Sequence, residues 1–125
     1  MPARTVAAIG LASSLLLAPA ASRALSADDC QLWLAQLRVE TASASITGAK
    51  SAHERERLLG RLDDASLRQP RATLIESLKQ LTKFQEHAAT LAADGKVTPV
   101  EGQRLGNLSE TVRRCIDRVR GSRER

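Results

Sequence analysis

The 125-residue chain contains no tyrosine and only one tryptophan and one phenylalanine. Proteins that bind nucleic acid by stacking bases need several exposed aromatic rings, and Trp33 and Phe84 are the only two available. No segment alternates apolar and polar residues as a half-buried strand does. We therefore expect neither a nucleic-acid partner nor a β-sheet.

Motifs for catalysis and for cofactors are also missing. The chain has two cysteines and two histidines, with no Cys-x-x-Cys pair and no Cys-x-x-Cys-His haem motif. No nucleophile lies next to a base, and there is no glycine-rich loop for phosphate. The sequence thus favours a protein that is not an enzyme and that needs no cofactor.

Residues 1–24 have the order of a secretory signal peptide. Arg4 gives a basic start, residues 6–17 are largely apolar, and Ala18-Pro19-Ala20 is a small-x-small cleavage site. A membrane anchor is the alternative, but the apolar run is shorter than the roughly 20 residues that a spanning helix needs. We expect cleavage after about Ala20 to Ala24, no stable membrane insertion afterwards, and a periplasmic or secreted mature protein.

Four segments of the mature chain have the three- and four-residue spacing of amphipathic helices. The third is the clearest and runs from Thr73 to Val97. Its apolar face is predicted to contain Leu74, Leu78, Leu81, Phe84 or Gln85, Ala88 and Leu91. The corresponding residues are Cys30, Trp33, Leu34, Leu37, Thr41, Ala44 and Ile46 in the first helix, Leu58, Leu59, Leu62, Ala65 and Ser66 or Leu67 in the second, and Leu105, Leu108, Val112, Cys115, Ile116 and Val119 in the fourth.

Capping residues mark where the helices begin. Ser26 is a candidate N-cap for the first helix. Ser51, followed three residues later by Glu54, has the spacing of a capping box for the second. Thr98 followed by Pro99 predicts the start of the fourth helix.

Glycine and proline mark where the helices end. We expect the first helix to end at Gly48, the second at Pro70, the third at Gly95 and the fourth before Gly121. A single helix kinked at Pro70 is the alternative to separate second and third helices.

Four helices of similar length joined by short turns predict an all-α fold, an up-down-up-down four-helix bundle over residues 25–120 with a basic tail at 121–125. This topology brings the start of the first helix next to the end of the fourth. Cys30 and Cys115 lie on the apolar faces there, and an exported chain with two cysteines favours their pairing. We therefore predict a disulfide between Cys30 and Cys115.

Basic residues dominate the end of the chain. The formal net charge is +5, and the mature chain is only mildly basic because Arg4 and Arg23 belong to the signal peptide. A candidate patch for an anionic partner consists of Arg113, Arg114, Arg118, Arg120 and Arg123. Lipid headgroups, an acidic glycan or an acidic protein are possible partners. The alternative is that these cations only complement the helix dipole and keep the protein soluble.

The two histidines raise the question of a metal site. Antiparallel packing is expected to bring His53 and His87 to the same end of the bundle, with Glu54 and Glu86 beside them. Both histidines fall on polar helix faces, however, and their spacing matches no known ligand pattern. A solvated surface is the better interpretation, and we predict no metal site.

The segment from Leu78 to Val119 resembles the FIMAH-type helical modules of secreted proteins. The resemblance rests on Leu81-x-x-Phe84, on Leu91-x-x-x-Gly95-Lys96-Val97, and on Leu105 with Leu108. It implies a non-catalytic accessory role.

A shorter motif resembles that of the Spy-like periplasmic chaperones. Leu81-Thr82-Lys83-Phe84-Gln85 matches their Leu-Thr-x-x-Gln motif, which implies binding of unfolded client proteins. The leading hypothesis from the whole sequence is a small exported non-catalytic module that binds a protein or glycan partner at the cell envelope or outside the cell. The alternatives are a Spy-like chaperone and a bundle that carries a small ligand or a metal.

Overall fold

The computed structural model describes residues 25–69 and 72–124, so the predicted signal peptide lies outside the described residues. These ranges contain four α-helices and no strand. The helices are α1 (Ala27–Ser43), α2 (Ser51–Ala65), α3 (Leu74–Ala93) and α4 (Pro99–Glu124). The predicted all-α class is confirmed.

The helices form an up-down-up-down bundle in which each helix packs against its neighbours in the chain and α4 packs back against α1. Two contacts show the antiparallel order. Gln31, near the start of α1, accepts a hydrogen bond of 2.9 Å from the backbone N–H of Leu67, just after α2. Glu40, near the end of α1, pairs at 2.8 Å with Arg104, near the start of α4.

One disulfide links Cys30 of α1 to Cys115 of α4, with their Cα atoms 5.5 Å apart, as predicted. It adjoins a continuous apolar core to which all four helices contribute. The largest completely buried side chains are Phe84, Leu37, Leu58, Leu62, Leu81, Leu91, Leu105 and Ile116. The predicted inward faces are thus largely confirmed, although Leu59, Leu74, Leu78 and Leu108 are only partly buried.

The helix α1 begins as expected but ends earlier than predicted. Ser26 and Asp29 form a reciprocal capping box at its start. The helix stops at Ser43, five residues before Gly48, and the chain continues in an extended conformation. Helix propensity is lower for Ser45, Ile46 and Thr47 than for alanine, and Thr47 N–H instead donates a hydrogen bond of 2.8 Å to the carbonyl of Lys96. Ala44 and Ile46 are buried as predicted, but outside the helix.

The predicted N-cap of α2 was wrong. Ser51 is the first helical residue, the cap position falls on Lys50, and no side chain caps this end. The turn at Gly48, where φ is +105°, places Ser51 in the helix already. Glu54 does not reach back to the cap and instead contacts His87 of α3.

The structure contains two separate helices, α2 and α3, so the alternative of one helix kinked at Pro70 was wrong. The helix α2 ends at Ala65, four residues before Gln69, and α3 begins only after the N-cap Thr73. Ser77 of α3 donates a hydrogen bond of 2.6 Å to the carbonyl of Ala65, which satisfies an acceptor at the end of α2. The prediction that the second helix ends at Pro70 was therefore wrong, because α2 already ends at Ala65 and residues 66–69 are not helical. Pro70 itself lies outside the described residues.

The turn between α3 and α4 matches its prediction. Gly95 has φ of +73°, and the N–H groups of Gly95 and Lys96 donate to the carbonyls of Ala92 and Leu91. This is the Schellman pattern that ends a helix in the left-handed conformation. Thr98 then caps α4 by accepting a hydrogen bond of 3.1 Å from the N–H of Glu101.

The predicted end of α4 before Gly121 was wrong, because the helix continues to Glu124. A glycine inside a helix costs only about 1 kcal/mol relative to alanine, so it does not end the helix by itself. Gly121 is helical, and the positive φ angles of glycines fall at Gly48 and Gly95. Residues 121–124 thus extend the last helix.

Candidate functional site

Trp33 lies at the surface of the bundle, with 46% of the residue exposed. The prediction that it faces the core was wrong. Successive residues of an α-helix are rotated by about 100°, and the buried Cys30, Leu34 and Leu37 already fill the inward face of α1. Trp33 therefore falls on the side of α1 that meets α4. The sequence contained a signal for this position, because Cys30, Leu34 and Leu37 already form an inward stripe at helical spacing without the tryptophan.

Trp33 forms one wall of a hollow between α1 and α4, which we call the α1–α4 groove. The groove is lined by Leu25, Trp33, Thr111, Arg114, Cys115 and Arg118. Leu25 is also an exposed apolar residue. The Cys30–Cys115 disulfide ties the two walls together beside the groove. The spacing of the two helix backbones that carry the indole and the two arginines is therefore restrained by a covalent link.

The structure divides the predicted arginine patch between two flanks of α4. Arg114 and Arg118 are one helical turn apart and both line the α1–α4 groove. Arg113 turns toward α3, where its Nη1 lies 3.0 Å from Oε1 of Glu110, and Gln85 of α3 donates to the same oxygen at 3.1 Å. Arg120, seven residues after Arg113, follows that flank, and Arg123 lies in the last turn of the helix.

Acidic residues partly offset the charge of the groove. Nε of Arg114 lies 3.3 Å from Oε2 of Glu110, while its side chain stays largely exposed. The Gln85 hydrogen bond, followed by smaller effects of Arg113 and Arg114, holds the pKa of Glu110 below its usual value against the opposing effect of burial. Among the described residues Arg118 has no ion pair, although Asp117 shares a neighbouring hollow with it. Arg118 is thus available to an anionic group.

The residues of the Leu-Thr-x-x-Gln motif make structural contacts. Leu81 and Phe84 are completely buried. Thr82 donates a hydrogen bond of 3.1 Å to the carbonyl of Leu78 within α3, and Gln85 binds Glu110 of α4. In this chain the motif joins α3 to α4.

A second polar cluster lies at the other end of the bundle. His87 Nε2 of α3 is 3.3 Å from Oε1 of Glu54 of α2, at the end of the bundle where antiparallel packing was expected to bring these residues. Only 11% of the His87 side chain is exposed. His87 was predicted to be solvated, which was wrong. Burial is the largest effect and lowers the pKa of His87. The Glu54 carboxylate raises this pKa, whereas the positive charges of Arg57 and Arg61 lower it further.

The two histidines do not form a metal site together. His53 is exposed and does not line the hollow that contains Glu54, Glu86 and His87. Within residues 25–69 and 72–124, no three His, Cys, Asp or Glu side chains are grouped as metal ligands. In the same part of the chain, no helix combines the length and the apolar character needed to cross a membrane.

Comparison with known proteins gives no relative. No family model matches the chain, and no curated protein or solved structure is significantly similar to it. The fold and the groove define a small four-helix bundle closed by one disulfide, and the function has to be argued from its surface.

Proposed function

We propose that this protein is a small exported, non-catalytic module that binds an acidic protein at the cell envelope or outside the cell through the α1–α4 groove. The observation that carries the proposal is the exposed position of Trp33 beside Arg114 and Arg118. Tryptophan and arginine are enriched among the residues that contribute most to protein–protein binding. An indole held at the surface next to two guanidinium groups is therefore suited to a partner with an apolar and an acidic group.

Two further features support the proposal. Leu25 adds an exposed apolar side chain to the groove without a hydrogen-bonding group, which suits a protein side chain better than the hydroxyls of a glycan. The disulfide holds both helices in place before the partner arrives, so little backbone entropy is lost on binding. A disulfide together with the predicted signal peptide favours an oxidising compartment outside the cytoplasm.

The test is site-specific crosslinking in the host cell. A photo-reactive amino acid at position 111, where the exposed Thr111 lines the groove beside Trp33, should capture one dominant protein, whereas the same group at exposed Ile75 of α3 should not. Changing both Arg114 and Arg118 to glutamine should reduce that capture strongly. Changing Arg113 to glutamine removes a charge from the opposite flank of α4 and should leave it unchanged.

Purified components then give a direct measure of binding. Because Trp33 is the only tryptophan and the chain has no tyrosine, its intrinsic fluorescence reports on this groove alone. The identified partner should change that fluorescence, with an affinity that falls as salt is added. Capture of many unfolded proteins would instead favour the chaperone hypothesis. Equal capture from positions 111 and 75, or none from either, would refute the proposal.

A further inference from the structure

The helix α1 has a second apolar face, directed away from the core. Leu32 is 67% exposed and Val39 is 60% exposed. Ala35 lies between them, Ala42 follows Val39, and both alanines are exposed. These four residues follow the spacing i, i+3, i+7, i+10, which is the heptad pattern of helices that pack against another helix. We call them the outer seam of α1. The core side of α1 is already filled by Cys30, Leu34, Leu37 and Thr41, so the outer seam is not needed for folding.

Between Leu32 and Ala42 the outer seam carries no charge, and the charged residues that flank this stretch are paired within the chain. The exposed Asp28 lies on the same face, one turn before Leu32 and outside this stretch. On one flank Arg38 is bonded to Asp63 of α2 at 2.9 Å. On the other flank Glu40 is bonded to Arg104 of α4 at 2.8 Å. Between Leu32 and Ala42 a strongly charged partner would find no unpaired complementary group, whereas an equally neutral helix face meets no repulsion.

We propose that the outer seam binds the outer seam of a second copy of this chain, with the two α1 helices antiparallel. In an antiparallel pair centred next to Leu37, Leu32 of one copy lies opposite Ala42 of the other, and Ala35 lies opposite Val39. Each large side chain thus faces a small one, so the two helices can approach closely and interdigitate. The alternation of large and small residues makes the face complementary to itself, as a two-fold symmetric interface requires.

The same arrangement leaves the flanking ion pairs intact. The two-fold axis brings Arg38 of both copies to the same flank of the interface, and the bond of each to Asp63 of its own chain offsets their mutual repulsion. The seam spans about 15 Å of one helix, so the interface is small. We therefore expect a weak, reversible dimer whose population rises with protein concentration.

The proposal does not depend on the proposed function, because it uses a different face of α1. The experiment is sedimentation velocity of the full mature protein over a wide concentration range. The wild type should shift from monomer to dimer as concentration rises. The double change Leu32→Lys and Val39→Lys should weaken association by about tenfold or more, because lysine charges would be buried against apolar groups. Ile75→Lys, a change at an equally exposed apolar residue of α3, should have no effect.

A third variant separates the seam from general hydrophobic adhesion. Ala35→Leu enlarges a position that must stay small opposite Val39, so it should weaken the dimer although it adds apolar surface. Circular dichroism checks that every variant remains folded. A wild type that stays monomeric at all concentrations would overturn the proposal. So would a dimer that survives the double lysine change, or one that Ala35→Leu strengthens.

Discussion

His87 Nε2 lies 3.3 Å from Glu54 Oε1, and this contact joins α3 to α2 at the end of the bundle away from the disulfide. The other ring nitrogen, Nδ1, is buried and has no hydrogen-bond partner in the described part of the chain. The imidazole is therefore held in a place that favours its neutral form. Burial is the main reason that its pKa is lowered, and the attraction of Glu54 only reduces that effect.

The first prediction concerns stability in acid. Because the pKa of His87 is lower in the folded than in the unfolded state, the unfolded chain binds the proton more readily, and stability falls as pH drops below about 6.5. His87→Gln should remove this part of the pH dependence. Urea unfolding between about pH 7 and pH 5 measures the pH dependence of stability in both proteins, and the difference between their slopes is the contribution of the His87 contact. Equal slopes for wild type and variant would show that His87 does not titrate in this way.

The sequence sufficed for the features that depend on spacing. Four periodic segments and short turns predicted the bundle, and the bundle placed Cys30 next to Cys115, as the structure confirms. The same periodicity failed for Trp33 because α1 is apolar on its outer side as well, so the pattern did not identify one inward face.

The groove and the histidine contact were harder to predict for a different reason. Trp33 and Arg118 are far apart in the chain, and their approach depends on how α1 and α4 are rotated against each other. Likewise, the sequence placed Glu54 and His87 at one end of the bundle but did not show that they touch. Helix caps are hard to predict from sequence for a similar reason, because a serine caps a helix only if its own backbone is extended.

The second prediction tests one cap that the structure confirms and one that it corrects. Thr98→Ala removes the oxygen that accepts from Glu101 N–H and should lower the free energy of unfolding by about 1 kcal/mol. Ser51→Ala should have little effect, because Ser51 lies inside the first turn and caps nothing. Urea denaturation of the two variants provides the comparison. A loss at Ser51 as large as that at Thr98 would argue for a cap that the structure does not contain.

The third prediction concerns the disulfide. Cys30 and Cys115 are 85 positions apart, and their bond restricts the unfolded chain over that whole length. Replacing both with alanine should lower stability by roughly 4 to 5 kcal/mol by the chain-entropy estimate. Adding reductant should destabilise the wild type similarly and leave the variant unchanged. A loss below about 1 kcal/mol would mean that the unfolded state is compact without the bond.

The last prediction compares two glycines of α4 that are four residues apart. A Cβ atom added at Gly102 would lie 2.9 Å from the Cβ of Ala92 in α3 and 3.6 Å from Cγ2 of Val97. At Gly106 the same atom would have nothing within 4 Å. Both positions are helical, so alanine gains about 1 kcal/mol of helix propensity at each. At Gly102 that gain is opposed by overpacking, which typically costs about 1 to 3 kcal/mol.

Gly106→Ala should therefore stabilise the protein by about 0.5 to 1 kcal/mol, whereas Gly102→Ala should be neutral or destabilising by up to about 2 kcal/mol. Thermal and urea unfolding measure both. Adding Ala92→Gly removes the Cβ that collides with the new one, so the double variant should be more stable than the sum of the single changes predicts. If Gly102→Ala stabilises as much as Gly106→Ala and shows no coupling to position 92, then α3 and α4 do not approach as closely there as the structure indicates.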